Sequence, residues 1–337
     1  MPTGDKAPPN RHHRATRLAE RTQAAMILAG APWPRRDLLV ALLALVLVPD
    51  PTTAAPPPVR VASKIDTEGA LLGNMILAAL AARGIPTVDR LQLGPTTILR
   101  RAILAGEIDL YPDYTGNGAI FFSLPRDPAW HDAAAGYRLV RDLDAAANDL
   151  AWLRPAPADN GWAIAVPQRL AAAHGLAGMT DFARWVAGGG RVRLAASAEF
   201  VESPAALPAL TAAYGFTLAE DQLVVLAGGN TAATERAAAE AISGVNAAMA
   251  YGTDGALAAL GLVLMSDTKG AEIVYAPAPV VRGAALRARP QIAAALNRVF
   301  GALDRPTLQR LNARVSVDGE DAGAIARSWL AARGLLE

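Results

Sequence analysis

A β-α-β-α-β rhythm that occurs twice in the chain constrains its fold more than any other feature. Short β-like runs alternate with amphipathic helical patterns in each copy. The β-like runs cover residues 59–61, 88–91, 108–111, 192–196, 223–226 and 247–251, and the helical patterns cover 67–84, 96–105, 205–214 and 231–242. This alternation is typical of parallel sheets with helices on both faces. The sequence therefore predicts two α/β lobes.

Two proline-containing breaks predict where the chain passes between the lobes. Pro155 and Pro157 precede a β-like run at 162–166, and Pro277 and Pro279 follow a strand-like run at 273–275. The chain then continues with helical patterns at 284–300, 304–313 and 320–333. We therefore expect lobe 1 to combine residues 56–159 with 273–337, and lobe 2 to comprise residues 160–272.

The N-terminal region carries the pattern of a signal peptide. Leu38 to Val48 is an unbroken apolar run, preceded by Arg35 and Arg36 and followed by small residues up to Ala55. The run is shorter than the roughly 20 residues that span a bilayer. We expect residues 1–55 to be a signal peptide with an N-terminal extension, and the mature protein to lie in the periplasm. A buried helix of the folded protein and an uncleaved membrane tether are the alternatives.

The composition argues against several classes of function. The net charge is +1, so no basic field indicates a nucleic-acid partner. The chain has no cysteine, and its 4 histidines show no metal-binding spacing. A phosphate-binding loop and a nucleophile elbow are also missing from the sequence. We expect no enzyme activity, no metal and no cofactor.

Aromatic residues at predicted strand ends indicate a binding cleft instead. Of only 6 tyrosines, two occur in the run Tyr111 to Tyr114 and two follow runs of the second lobe. Ligands of open α/β sheets bind beyond the carboxyl ends of strands, and aromatic faces bind quaternary ammonium groups. Lys64, at the end of the first β-like run, would meet an anion there. Alternatively, the rings pack the core and Lys64 is a solvated surface residue.

Several motifs in the body resemble one known family. They are SKIDTEG at 63–69, DLYPDYTGN at 109–117, LAASAEF at 194–200, AYGTDG at 250–255 and YAPAPVV at 275–281. Together they are similar to the osmoprotectant-binding proteins of ABC importers, which bind glycine betaine or choline, and to their OsmF/YehZ type. The resemblance covers about residues 59–337. It implies a type II periplasmic-binding-protein fold, a discontinuous first lobe and Venus-flytrap closure.

The resemblance also implies the residues of the site. It places an aromatic cage for the trimethylammonium group at Tyr114, Trp162, Tyr251 and Tyr275. Lys64 and Asn117 match positions that hold the ligand carboxylate, although Asn117 replaces a threonine. Asn160 stands where several relatives have an aspartate. Ser203 stands where the family has a carboxylate-binding arginine, and this change predicts weaker betaine binding.

The expected function is therefore that of a periplasmic substrate-binding protein. It would close on a quaternary-ammonium osmolyte such as glycine betaine, act as a monomer and dock on an inner-membrane ABC permease. The alternatives are a choline-like cation, or another small zwitterion such as proline betaine, ectoine or an amino acid. An enzyme on the same two-lobed fold is the alternative from a different class.

Overall fold

The computed structural model describes residues 56–226 and 231–337. The predicted signal peptide at 1–55 lies outside these residues, as do residues 227–230. The described chain is a mixed α/β structure built on two five-stranded sheets. No helix within 56–226 or 231–337 has the length and apolar character needed to cross a membrane.

The first sheet has the strand order β2-β1-β3-β10-β4. Its strands are β1 (Val59–Lys64), β2 (Thr87–Gly94), β3 (Leu110–Tyr114), β4 (Leu150–Trp152) and β10 (Pro277–Arg282). Strands β1, β2 and β3 run parallel, whereas β10 lies antiparallel between β3 and β4. Because β10 is contributed from far along the chain, the first sheet is discontinuous in sequence.

The second sheet has the order β7-β6-β8-β5-β9 and repeats this plan. Its strands are β5 (Trp162–Pro167), β6 (Leu194–Ser197), β7 (Leu223–Leu226), β8 (Ala247–Tyr251) and β9 (Leu262–Leu264). Strands β6, β7 and β8 are parallel, and β5 runs antiparallel between β8 and β9. The predicted two-part α/β architecture is thus confirmed at the level of the sheets. The residue bounds of the lobes stay a prediction.

Helices cover both faces of each sheet. They are α1 (Thr67–Ala81), α2 (Thr96–Leu104), α3 (Gly118–Phe121), α4 (Ala133–Asn148), α5 (Gln168–His174), α6 (Met179–Ala187), α7 (Ala198–Glu202), α8 (Leu207–Tyr214), α9 (Thr231–Ala239), α10 (Ala256–Ala259), α11 (Gly283–Ala288), α12 (Gln291–Phe300), α13 (Arg305–Ser316) and α14 (Ala322–Ala332). Helix α1 begins at the cap residue Asp66, whose side chain accepts from the Gly69 N–H at 2.6 Å. It ends before Gly84, which adopts a left-handed conformation.

Each face of each sheet has its own apolar core. One face of the first sheet packs on α1, α12, α13 and α14, and the other face packs on α2 and α4. The second sheet packs on α6 and α8 on one side and on α9 and α10 on the other. Burial on both faces explains why the central parallel strands β6 and β8 read as short, almost wholly apolar runs, whereas the edge strand β2 carries exposed polar residues.

The proline-rich segments differ from their prediction. Pro277 and Pro279, interpreted as part of a crossing, lie within strand β10, and residues 273–275 are not a strand. Pro112 also lies within a strand, β3, directly opposite Pro279. Proline has no N–H to donate, but its carbonyl still accepts, and Pro277 and Pro279 accept from Ala156 and Leu153. Proline is therefore compatible with a buried strand at these positions.

One predicted helix is also divided in two. The pattern at 284–300 forms α11 and α12, separated at Arg289 and Pro290. Proline restricts the residue before it to extended conformations, which interrupts the helix at this point. The Arg289 guanidinium donates to the carbonyl of Pro57, so the residue at this break also contacts the start of the described chain.

Candidate functional site

A cavity of about 1150 Å³ is lined by residues from both sheets. Lys64 and Tyr114 end β1 and β3 of the first sheet, and Tyr251 ends β8 of the second. The predicted side chains in its lining are Lys64, Tyr114, Asn117, Asn160, Trp162, Tyr251 and Tyr275. The structure thus brings together all but one of the predicted site residues. Their contact with a ligand stays a prediction.

The remaining predicted residue, Ser203, is not part of the lining. It follows helix α7 as its C-terminal cap, and its hydroxyl accepts from the Ala205 N–H at 3.4 Å. Glu199, in the first turn of the same helix, lines the cavity instead. The part of helix α7 that lines the cavity therefore carries a carboxylate.

The four predicted cage rings are held by backbone pairing and local contacts. Trp162 at the start of β5 lies directly opposite Tyr251 in the β5–β8 register. The Trp162 ring also packs edge-on against Phe200, with 6.1 Å between the ring centroids. Tyr275 donates its backbone N–H to Asp159, and its carbonyl accepts from Asn160. These contacts place aromatic faces of both sheets around one cavity, where a quaternary ammonium group can be bound by ring quadrupoles.

Lys64 and Asn117, the two predicted carboxylate-binding residues, both face an internal carboxylate. The Lys64 Nζ lies 3.1 Å from Asp113 Oδ1, and Asn117 Nδ2 donates to the same oxygen at 2.6 Å. The Lys64 ammonium also lies 4.2 Å from the centre of the Tyr114 ring. Asp113 is fully buried. Its charge balances Lys64, so a ligand carboxylate would meet a cation that already has a partner.

Glu68 is a buried acid of the cavity wall that the sequence did not reveal. Its Oε1 accepts from the Tyr114 hydroxyl at 2.8 Å, and its Oε2 accepts from Asn312 Nδ2 at 2.7 Å. Burial, with a smaller contribution from the charge of Asp66, raises the pKa of Glu68 to about 7, although the hydrogen bonds that it accepts favour the carboxylate. The Thr67-Glu68 pair indicated only a helix start, and no sequence signal reported this burial.

Glu68 belongs to a hydrogen-bonded chain that joins the two sides of the cavity. Asn312 of α13 also donates to the Thr253 carbonyl at 3.0 Å, beyond the end of β8. The Thr253 hydroxyl donates to Asn160 Oδ1 at 2.7 Å. Tyr114 of the first sheet is therefore connected to the loop after β8 and to the segment that enters β5.

A second carboxyl pair lies in the same wall. Burial and the charge of Asp254 raise the pKa of Glu235 to about 9, so Glu235 keeps its proton at neutral pH. Asp254 accepts from the Tyr251 N–H at 2.7 Å and carries the negative charge of the pair. This arrangement fixes the backbone at Tyr251, one of the predicted cage residues.

The balance of charges in the lining favours a cation. Asp66, Glu68, Glu199 and Asp254 line the cavity, and so do the cations Lys64, Arg100 and Arg101. Lys64 is paired with Asp113. The Arg100 guanidinium makes two hydrogen bonds to Asp144, at 2.7 and 2.8 Å, and is therefore already paired. An acidic cavity with aromatic faces attracts a cation and binds it without hydrogen bonds. Within the described ranges, no group of three His, Cys, Asp or Glu side chains is placed to hold a metal ion.

Comparison with known proteins agrees with this geometry. Residues 57–332 match the family described as the substrate binding domain of the ABC-type glycine betaine transport system. The chain is 54% identical over 293 residues to the glycine betaine-binding protein YehZ of Escherichia coli K12, covering 87% of this chain and 96% of that protein. It is 30% identical to a glycine-betaine-binding protein of Pseudomonas aeruginosa, covering 82% of this chain and 88% of that protein.

A solved structure extends the likeness to the fold. Apo YehZ from Escherichia coli superimposes with a TM-score of 0.75 at 55% sequence identity, covering 83% of this chain and all of that one. The two sheets and the cavity at their strand ends thus define a periplasmic binding protein of type II fold. The chain belongs to the family of substrate-binding proteins of glycine betaine ABC transport systems. Its members bind solutes for transport and are not enzymes, which confirms the expectation drawn from the motifs.

Proposed function

We propose that this protein binds glycine betaine or a similar quaternary-ammonium osmolyte in the aromatic cage formed by Tyr114, Trp162, Tyr251 and Tyr275. The observation that carries the proposal is the convergence of these rings on one acidic cavity lined by both sheets. A trimethylammonium group cannot donate a hydrogen bond, so aromatic faces and nearby carboxylates are the groups that stabilise it.

We further propose that the two lobes close on the ligand and present it to an inner-membrane ABC permease. The lobes would comprise residues 56–159 with 273–337, and residues 160–272, since each range carries one of the two sheets. The apolar run at 38–48 supports export to the periplasm. Closure around a ligand is a common way to couple binding to recognition.

A choline-like cation is the second candidate, and one contact favours it. Because Asp113 already pairs with Lys64, the ammonium gives a ligand carboxylate less free charge than an unpaired lysine would. The carboxylate of glycine betaine therefore adds less affinity here than a free cation would provide, and choline loses less by lacking one. The relative affinity of the two solutes measures this effect.

The proposal predicts that calorimetric titration of the full chain detects saturable binding of glycine betaine, of choline, or of both. Replacing Tyr251 by alanine removes one cage ring and should weaken binding roughly two- to thirtyfold, because each ring contributes about 0.5–2 kcal/mol. Ser203→Ala is the matched control, since Ser203 lies outside the lining, and its affinity should stay unchanged. Absence of heat with both solutes at millimolar concentration would refute the proposal.

Gly116 offers a test of the cage that removes no ring. A Cβ at Gly116 would lie 2.8 Å from Tyr275 Cδ1 and 2.8 Å from Ile273 Cγ2, so Gly116→Ala must displace the Tyr275 ring. We expect a loss of affinity of about two- to tenfold, up to the contribution of one ring, measured by the same titration. An unchanged affinity would mean that Tyr275 does not face the ligand.

A further inference from the structure

Among the described residues of the cavity lining, Glu68 is a buried acid with no cationic partner, and unlike the buried Glu235 it does not share its charge with a second carboxyl group. Asp113 is paired with Lys64, and Asp66 and Glu199 are exposed, where water screens their charge. Asp254 shares a hydrogen bond and one negative charge with Glu235. Glu68 is buried and accepts only from two neutral donors, Tyr114 and Asn312, in the part of the chain that the structure describes.

The protonation state of such a carboxyl group depends on what occupies the cavity. An empty cavity leaves the Glu68 carboxylate without a counter-ion, and burial then keeps part of it protonated near neutral pH. A cation placed against the Tyr114 ring would lie close to the carboxylate that accepts the Tyr114 hydroxyl. The cation would favour the ionised form, because opposite charges at low dielectric attract strongly.

We propose that ionised Glu68 is the counter-charge for the quaternary ammonium group, so that binding of the cation releases a proton from the protein. The inference rests on the proposed function and names a residue that determines its cation specificity. The carboxylate attracts the cation across the cavity. It also accepts from the hydroxyl of Tyr114, whose ring belongs to the proposed cage. Ionised Glu68 also suits the Asn312 amide, which donates to Oε2 and to the Thr253 carbonyl together.

Other groups facing Glu68 set the conditions of the test. Asp66 of its own helix raises the pKa of Glu68, and Tyr114 stays neutral because burial raises its pKa well above the usual value. Helix α13 contributes the neutral Asn312, and β1 contributes Lys64, whose charge Asp113 balances. Across the cavity, the Glu235–Asp254 pair is a second acid that a cation could ionise, so it needs its own control.

The sign of the pH effect follows from these contacts. Binding a cation lowers the pKa of Glu68 from its value near 7, so affinity rises as the pH rises through 7. If the bound cation makes Glu68 about ten to a hundred times more acidic, choline binding becomes about five- to tenfold tighter at pH 8 than at pH 6. Roughly half a proton or more should then be released per choline bound at pH 6.5.

Calorimetric titration of the full chain with choline, at pH 6 and pH 8 and in buffers of different ionisation enthalpy, measures both quantities. Glu68→Gln keeps the shape of the side chain but not its charge. Its affinity should be the same at both pH values and about two- to tenfold weaker than that of the unmodified protein at pH 6. Glu235→Gln is the matched control and should keep the pH dependence and the proton release.

The outcomes separate this inference from the proposed function. Saturable binding with equal affinity at pH 6 and pH 8 and no proton release would overturn the role of Glu68 and leave the proposed function standing. Absence of binding at both pH values would overturn the two together. If Glu68→Gln does not fold, the proton release of the unmodified protein and of Glu235→Gln still decides the question.

Discussion

Replacing Asp113 by alanine is expected to lower the free energy of unfolding by about 3–5 kcal/mol, because it leaves a buried cation without its partner. Asp113 is fully buried and accepts from the Tyr111 hydroxyl at 2.6 Å, the Tyr114 N–H at 2.9 Å and Asn117 Nδ2 at 2.6 Å. Lys64 Nζ, itself nearly buried, lies 3.1 Å away. The substitution therefore removes one acceptor and leaves several donors unsatisfied at once.

Chemical denaturation of the variant measures the change, and thermal unfolding should show a midpoint lower by roughly 10 °C. Asp142→Ala is the matched control. Asp142 pairs with Arg141 at 2.8 Å, but both side chains are exposed, so its removal should leave the midpoint almost unchanged. Equal stability of the Asp113 variant and the control would show that Lys64 finds another partner or turns to solvent.

The architecture could be predicted from the sequence because several parallel strands, such as β6 and β8, are short apolar runs. Their alternation with helices indicated a doubly covered sheet, and the same pattern occurred in both halves of the chain. The carboxyl ends of parallel strands gather at one edge of a sheet, so Lys64, Tyr114 and Tyr251 could be expected to lie near a common cleft. The site residues that the family resemblance implies were expected near the same cleft for the same reason.

The proline-containing strands could not be predicted in the same way. Local preference places Pro112 and Pro279 in turns or crossings, whereas the fold pairs them across β3 and β10. Neither proline is required to donate a backbone N–H at that position. Whether a proline fits the strand there depends on a partner more than 160 residues away. The position of Asp113 within β3 depends on the same distant pairing, and its contact with Lys64 was therefore not predicted from the sequence.

The acidic wall of the cavity also required the structure. Glu68, Glu235 and Asp254 have no sequence neighbours that distinguish them from solvated carboxylates. Their burial results from tertiary packing, which places α13 over Glu68 and the end of β8 beside Glu235. Ser203 illustrates the reverse case, because the family motif implied a position beside the ligand and the cavity lining does not include it.

Gly252→Ala is expected to weaken ligand binding roughly tenfold or more by moving two cage residues apart. A Cβ at Gly252 would lie 2.2 Å from the backbone carbonyl oxygen of Asp159, and a backbone atom cannot turn aside as a side chain can. Gly252 also donates to the Gly161 carbonyl at 3.0 Å. Its φ lies outside the left-handed region, so alanine fits the backbone conformation and the effect is one of space.

The clash falls between the two segments that carry Trp162 and Tyr251. These residues face each other in the β5–β8 register, and separating them weakens the contribution of both rings, each worth about 0.5–2 kcal/mol. Calorimetric titration with glycine betaine and choline measures the loss, and thermal unfolding shows whether the variant still folds. Gly188→Ala is the matched control for both tests, because Gly188 is exposed at the end of α6. If Gly252→Ala keeps full affinity, the loop after β8 can yield without disturbing the cage, and Trp162 and Tyr251 do not need their present spacing to bind the cation.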